Sequence, residues 1–137
     1  MLKITNEQAA YLAGLIDGEG YVGARVAKDG YVQAGLVVIN TNRSVLDWAC
    51  SITGIGVVKP KKKVPNRKQV WRWIVGPQPA SELLRRVRGY SQIKRMEMHL
   101  FGILAALTRI PVKQRRELGF SYDLNRDLAQ RICALKH

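Results

Sequence analysis

The chain has 137 residues, enough for one domain with a real core and too few for two. A hydrophobic fraction of 47% and a charged fraction of 24% exclude a disordered chain, and no apolar run reaches the ~18 residues that span a bilayer. The 23 Lys and Arg against 10 acids give a net charge of +13, which points to a nucleic-acid partner.

The start, MLKITNEQ, lacks the regions of a signal peptide, so an intracellular location, cytoplasmic or organellar, is expected. Thr5-Asn6-Glu7-Gln8 reads as a capping box, with Thr5 as N-cap and Gln8 at N3. The helix it opens runs to about Asp17 or Gly18. Leu12, Leu15 and Ile16 form one apolar stripe; Ala10, Gly14 and Gly18 form another, almost without side-chain volume. Glycine at position 14 costs a helix ~1 kcal/mol relative to alanine. Close approach of another backbone is the usual compensation, either a second helix or the helix's own sheet. Residues 12–20, LAGLIDGEG, end in Asp17 and Glu19, which at i and i+2 do not share a helix face.

Two alternating runs follow around Lys28-Asp29-Gly30, a hairpin signal. Val22, Ala24 and Val26 share a face, as do Val32, Ala34, Leu36 and Val38; Tyr21, Gly23, Arg25, Tyr31, Gln33, Gly35 and Val37 point the other way. A helix is expected over 41–53, ended by Gly54-Ile55-Gly56. In the second hairpin VVKPKKK ascends, Pro65-Asn66-Arg67-Lys68 turns, and QVWRWIVG descends. Trp71, Trp73 and Val75 form one face, read as core rather than as base-stacking aromatics. Pro77 and Pro79 break the strand, and helices fit 80–88, 93–108 and 124–136. Cys50 and Cys133 lie in apolar helical patterns without metal-ligand spacing and read as buried free thiols. The class is α+β: an αββαββα core with an antiparallel curved sheet and an extra C-terminal helix.

Lys59, Lys61 and Lys63 alternate, so a single strand would present them on one sheet face. Arg25, Arg72 and the tip residues Lys28, Arg67 and Lys68 extend that face, with Tyr31 and Gln33. Such a face suits a DNA groove, lysines meeting phosphates and Arg25, Arg72 and Gln33 reading base edges. Glu19, between Gly18 and Gly20, can approach a phosphate with bare backbone on both sides. A carboxylate there suits Mg²⁺, which takes one or two protein carboxylates plus substrate phosphate.

LAGLIDGEG resembles the signature of the LAGLIDADG homing endonucleases at seven of nine letters, with Glu for the second Asp. The likeness extends to the order of helices and hairpins over nearly the whole chain. The resemblance implies a Mg²⁺- or Mn²⁺-dependent, site-specific DNA endonuclease. It implies that Glu19 holds the metal, with the Gly18 carbonyl as a possible second ligand. Asn40 resembles the position that orders water around the metals, and Lys94 the basic residue near the scissile phosphate. Glu97 reads as helix surface. With one motif copy, the resemblance implies a homodimer whose motif helices meet through Ala10, Ala13, Gly14, Asp17 and Gly18. Asp17 would support the helix end rather than do chemistry. The partners are then double-stranded DNA, in a long near-palindromic target, and a second copy, with no membrane or small-molecule substrate. The alternative is a cleavage-inactive nucleic-acid binder on the same scaffold, a maturase or regulator, against which retention of Glu19, Asn40 and Lys94 argues.

Overall fold

The computed structural model of the protein describes residues 2–26, 32–108 and 122–135. Helix α1 (Asn6–Glu19) opens on the expected capping box: the Gln8 amide donates to Thr5 Oγ1 at 3.1 Å and the Thr5 amide to Gln8 Oε1 at 2.9 Å. The helix continues through Glu19, past the expected end. Strands β1 (Gly20–Val26) and β2 (Val32–Asn40) pair antiparallel from Gly20↔Val38 to Val26↔Val32. The Lys28-Asp29-Gly30 turn lies outside the described residues. Helix α2 (Arg43–Thr53) is capped by Asn42, whose Oδ1 accepts the Ser44 amide at 3.0 Å.

The second hairpin pairs β3 (Val57–Pro60) with β4 (Trp71–Val75), and the sheet order is β1-β2-β4-β3. The expected strand over 57–63 is thus cut short. Beyond Pro60, the Lys61 amide still donates to the Val70 carbonyl, but Gln69 Nε2 donates to the Lys61 carbonyl at 2.7 Å and replaces further ladder pairing. The Arg67 amide closes a turn on the Val64 carbonyl, with Pro65 second and Asn66 third at φ 64°, the type II pattern. Helix α3 (Pro77–Val87) starts earlier than expected, because both prolines occupy its first turn, where an amide has no helical acceptor. A 3₁₀ turn (Arg88–Tyr90), α4 (Arg95–Thr108) and α5 (Tyr122–Ala134) follow.

The helices cover one sheet face. Val22, Ala24, Leu36, Val38, Trp73 and Val75 are buried there with Leu12 and Ile16 of α1, Leu46 of α2, Leu83 and Leu84 of α3, Phe101 and Leu104 of α4 and Ile132 of α5. Trp73 is a core residue, as expected, and its indole N–H donates to the Ile55 carbonyl at 2.9 Å. Trp71 is half-buried beneath the Arg43 guanidinium, 4.5 Å from its ring centroid. Cys50 and Cys133 are free but only half-buried; the Cys133 thiol donates to the Ala24 carbonyl at 2.8 Å and fastens α5 to β1. Among the described residues, no helix is long and apolar enough to cross a membrane.

Candidate metal-binding helix end and nucleic-acid interface

The C-terminus of α1 runs straight into β1 at Gly20, whose amide donates to the Ile16 carbonyl. A Cβ on Gly20 would lie 2.7 Å from that carbonyl oxygen and 2.8 Å from Ile16 Cα, so only glycine makes this corner. Both close contacts are with backbone that cannot swing aside. Gly20→Ala is therefore expected to destabilise the chain by about 2–3 kcal/mol, read from denaturant midpoints at unchanged m-value. A shift below ~0.5 kcal/mol would show that the corner relaxes.

The two acids of the corner have opposite surroundings. Asp17 turns onto its own chain at the N-terminus of α4. Its Oδ1 accepts the Ser91 hydroxyl at 2.6 Å and the Lys94 amide at 3.1 Å; its Oδ2 accepts the amides of Gln92 at 2.7 Å and Ile93 at 3.2 Å. Partial burial alone raises the carboxyl pKa, but the hydrogen bonds from Ser91, Gln92, Lys94 and Ile93 outweigh it and hold it below the usual carboxylate value. Asp17 is thus ionised at neutral pH, and the stability it contributes is lost only as pH falls through that lowered value. Glu19 is exposed and, among the described residues, has no hydrogen-bond partner. The last turn of α1 has no basic residue of its own; the cation at this negative helix end is Lys94, which arrives from the start of α4.

Lys94 comes to the same place, half-buried, its Nζ donating to the Asp17 backbone carbonyl at 2.6 Å. It precedes α4 rather than lying within it, and its carbonyl accepts the Met98 amide. A cleft of about 510 Å³ lies beside it, lined by Gly20, Tyr21, Val22, Ile93, Lys94, Glu97 and Leu135. Glu97, expected on the helix surface, is instead 6% exposed and lines this cleft, because its face of α4 turns toward β1. Tyr21 was not singled out from the sequence as a site residue; it lines this cleft and a groove on the open sheet face, and only the tertiary arrangement joins the two. Asn40 closes β2, opposite Trp71 of β4 and two residues beyond Val38, the partner of Gly20. Its Oδ1 accepts the Asn42 amide at 2.8 Å in an Asx turn, leaving the side-chain NH₂ as its donor.

The open face is more apolar at its centre than expected. A groove of about 290 Å³ there is lined by Tyr21, Gly23, Gly35, Val37 and Ile74, among others. Arg25 and Gln33 pair in register across β1 and β2. Lys28 and Tyr31 lie outside the described residues. Lys59 and Arg72 are cross-strand partners, and Arg72 Nε is buried without a hydrogen-bond partner among the described residues. Lys61, Lys63, Arg67 and Lys68 are exposed, but in the loop rather than on a strand; Lys63 Nζ donates to the Arg67 carbonyl.

The small stripe of α1 faces outward. Ala10, Gly14 and Gly18 are exposed, and a Cβ on Gly14 or Gly18 would meet nothing within 4 Å. Packing of the helix on its own sheet therefore does not explain these glycines. Ala13, expected beside them at the interface, is instead 0% exposed, since the same α1 face carries Ala9, Leu12 and Ile16 into the core. Tyr11, 55% exposed, flanks the stripe and meets Trp48 edge-on at 5.1 Å.

No protein-family model and no curated protein matches the sequence. Solved structures do match. One is the archaeal intron-encoded homing endonuclease I-Vdi141I, complexed with DNA: the TM-score is 0.77 at 17% identity, covering 96% of this chain and 86% of that one. This is the LAGLIDADG homing endonuclease fold. The homing endonuclease I-CvuI, in complex with its target in the presence of Ca, shares it with a TM-score of 0.69 at 21% identity over 95% of this chain and 82% of that one. The LAGLIDADG meganuclease I-AabMI, bound to uncleaved DNA, matches with a TM-score of 0.62 at 21% identity over 93% of this chain but only 43% of its own. In the LAGLIDADG fold as built here, the motif helix supplies both the core stripe and the acidic corner.

Proposed function

We propose that the protein is a homodimeric, divalent-metal-dependent, site-specific homing endonuclease that makes double-strand breaks in a long, near-palindromic DNA target and leaves short 3′ overhangs. One observation carries the reading: Glu19 stands exposed and without a hydrogen-bond partner among the described residues at the end of α1 where Lys94 also arrives, while Asp17, two residues earlier, is fully engaged. An acid that the fold does not use is open to a ligand.

The donor set fits Mg²⁺ or Mn²⁺. The Glu19 carboxylate and the Gly18 carbonyl are oxygen ligands at an exposed helix end. No cluster of three or more His, Cys, Asp or Glu exists among the described residues, so water and substrate phosphate complete the coordination, as hard cations of this size accept. When bound, such a cation supplies water activation and charge stabilisation at the leaving oxygen. Glu19 orients the complex, Lys94 sets a positive charge beside the scissile phosphate, and the Asn40 NH₂ donates toward ordered water. Two copies meeting through Ala10, Gly14 and Gly18 bring two Glu19 carboxylates together, one for each strand. That I-AabMI is more than twice as long as the unit matched here supports this pairing. A two-fold dimer then expects a two-fold target.

The open face seats the duplex, with the end of the Arg72 guanidinium meeting base edges while its Nε stays buried, and Lys59 meeting phosphate. Replacing Lys59, Lys61 and Lys63 with Ala should lower the slope of log affinity against log salt by about 2 per protomer. Lys63, already donating to the Arg67 carbonyl, contributes least. An unchanged slope would remove this face from the DNA interface. The function itself is tested by selecting cleaved sites from a randomised near-palindromic library with Mg²⁺ or Mn²⁺. Symmetric sites cut on both strands are expected; binding without cleavage in either metal would leave a non-cleaving nucleic-acid binder.

A further inference from the structure

Asp17 grips Lys94 at both ends. The carboxylate takes the Lys94 amide together with Ser91 Oγ and the amides of Gln92 and Ile93, and the backbone carbonyl of the same Asp17 takes Lys94 Nζ at 2.6 Å. These amides lead into α4, Lys94 being the residue whose carbonyl accepts its first helical bond, and a carboxylate complements the positive end of that helix. The Ser91 hydroxyl is also shared with the Lys94 amide, at 3.2 Å, which locks the 91–94 segment as a unit. Glu19 follows Asp17 by two residues on a helix end closed by Gly20, so the grip brings Lys94 to the end of α1 that carries Glu19.

We infer that Asp17 is a positioning residue: it sets the Lys94 ammonium at a fixed place on the end of α1 that carries Glu19, joining two helices that are otherwise remote in sequence. Two of the three ammonium donors remain for a phosphate once the Asp17 carbonyl has taken one. The consequence for cleavage rests on the endonuclease reading; the grip itself does not.

The test uses Asp17→Asn, which keeps the size but turns one acceptor into an NH₂ group facing backbone amides. Labelling of Lys94 by an amine-reactive reagent, followed by mass spectrometry on the DNA-free protein, should rise at least about threefold, a departure of the kind that losing a well-placed hydrogen bond produces. Cleavage at saturating DNA should slow by about a hundredfold with DNA affinity within about twofold. In a Lys94→Ala background, Asp17→Asn should add nothing, since both act as one unit. A merely structural staple would instead slow both backgrounds equally. If Asp17→Asn does not fold, Ser91→Ala removes one bond to the carboxylate and should raise Lys94 labelling about twofold. Unchanged labelling in a folded variant, or additive losses in the double mutant, would overturn the proposal. A wild-type protein that cuts no DNA would sink the endonuclease reading alone, with the labelling still deciding the grip.

Discussion

On the proposed endonuclease reading, Glu19→Gln should eliminate cleavage, by at least about a thousandfold or roughly 4 kcal/mol of barrier, and leave DNA binding intact or tighter. The amide keeps the length and shape of the side chain but cannot hold a divalent cation as a carboxylate does. The fold has little stake in the charge: Glu19 is exposed and has no hydrogen-bond partner among the described residues, and the Lys94 ammonium offsets the negative helix end where it sits. Removing the negative charge should therefore change stability by less than about 0.5 kcal/mol. The combination of lost activity and unchanged stability separates a functional acid from a structural one. Metal-dependent cleavage that survives in the variant would remove Glu19 from the metal site.

If two copies meet through the α1 stripe as proposed, Gly14→Leu should convert the dimer into a folded monomer and cost at least about a hundredfold in double-strand cleavage. Within one protomer the substitution is harmless. A Cβ at Gly14 meets nothing, and replacing glycine inside a helix with leucine favours the helix by up to about 1 kcal/mol. Only a second helix packed against the stripe would feel four added carbons. Sedimentation at micromolar concentration decides the matter, with circular dichroism confirming the fold. A variant that still sediments as a dimer would show that the copies meet elsewhere.

Much of this was legible in the residues. The capping box at Thr5 and Gln8, the alternation of β1 and β2, and the Trp73 and Val75 core face are local patterns, and local chemistry produced them as read. Where neighbours in sequence competed, the expectation slipped. Gln69 took the acceptor that β3 needed, Asn42 capped α2 and started it at Arg43 rather than at 41, and two prolines opened α3 rather than merely ending a strand.

The site divides along the same line. From LAGLIDGEG alone follow a thin outer stripe, a buried inner one and a glycine corner, because helical period and backbone sterics belong to the segment itself. Which acid is spent and which is free does not follow. Asp17 and Glu19 are chemically alike and two residues apart; their difference comes from the 91–94 segment, some seventy residues later, arriving with four donors for one of them. Ala13 and Glu97 went inward for the same reason, since burial is decided by what packs opposite. The sequence by itself determined the elements and the chemistry available at the helix end. The tertiary structure decided which groups remain open, because a hydrogen bond across the fold satisfies one carboxylate and leaves its neighbour to solvent or to a ligand.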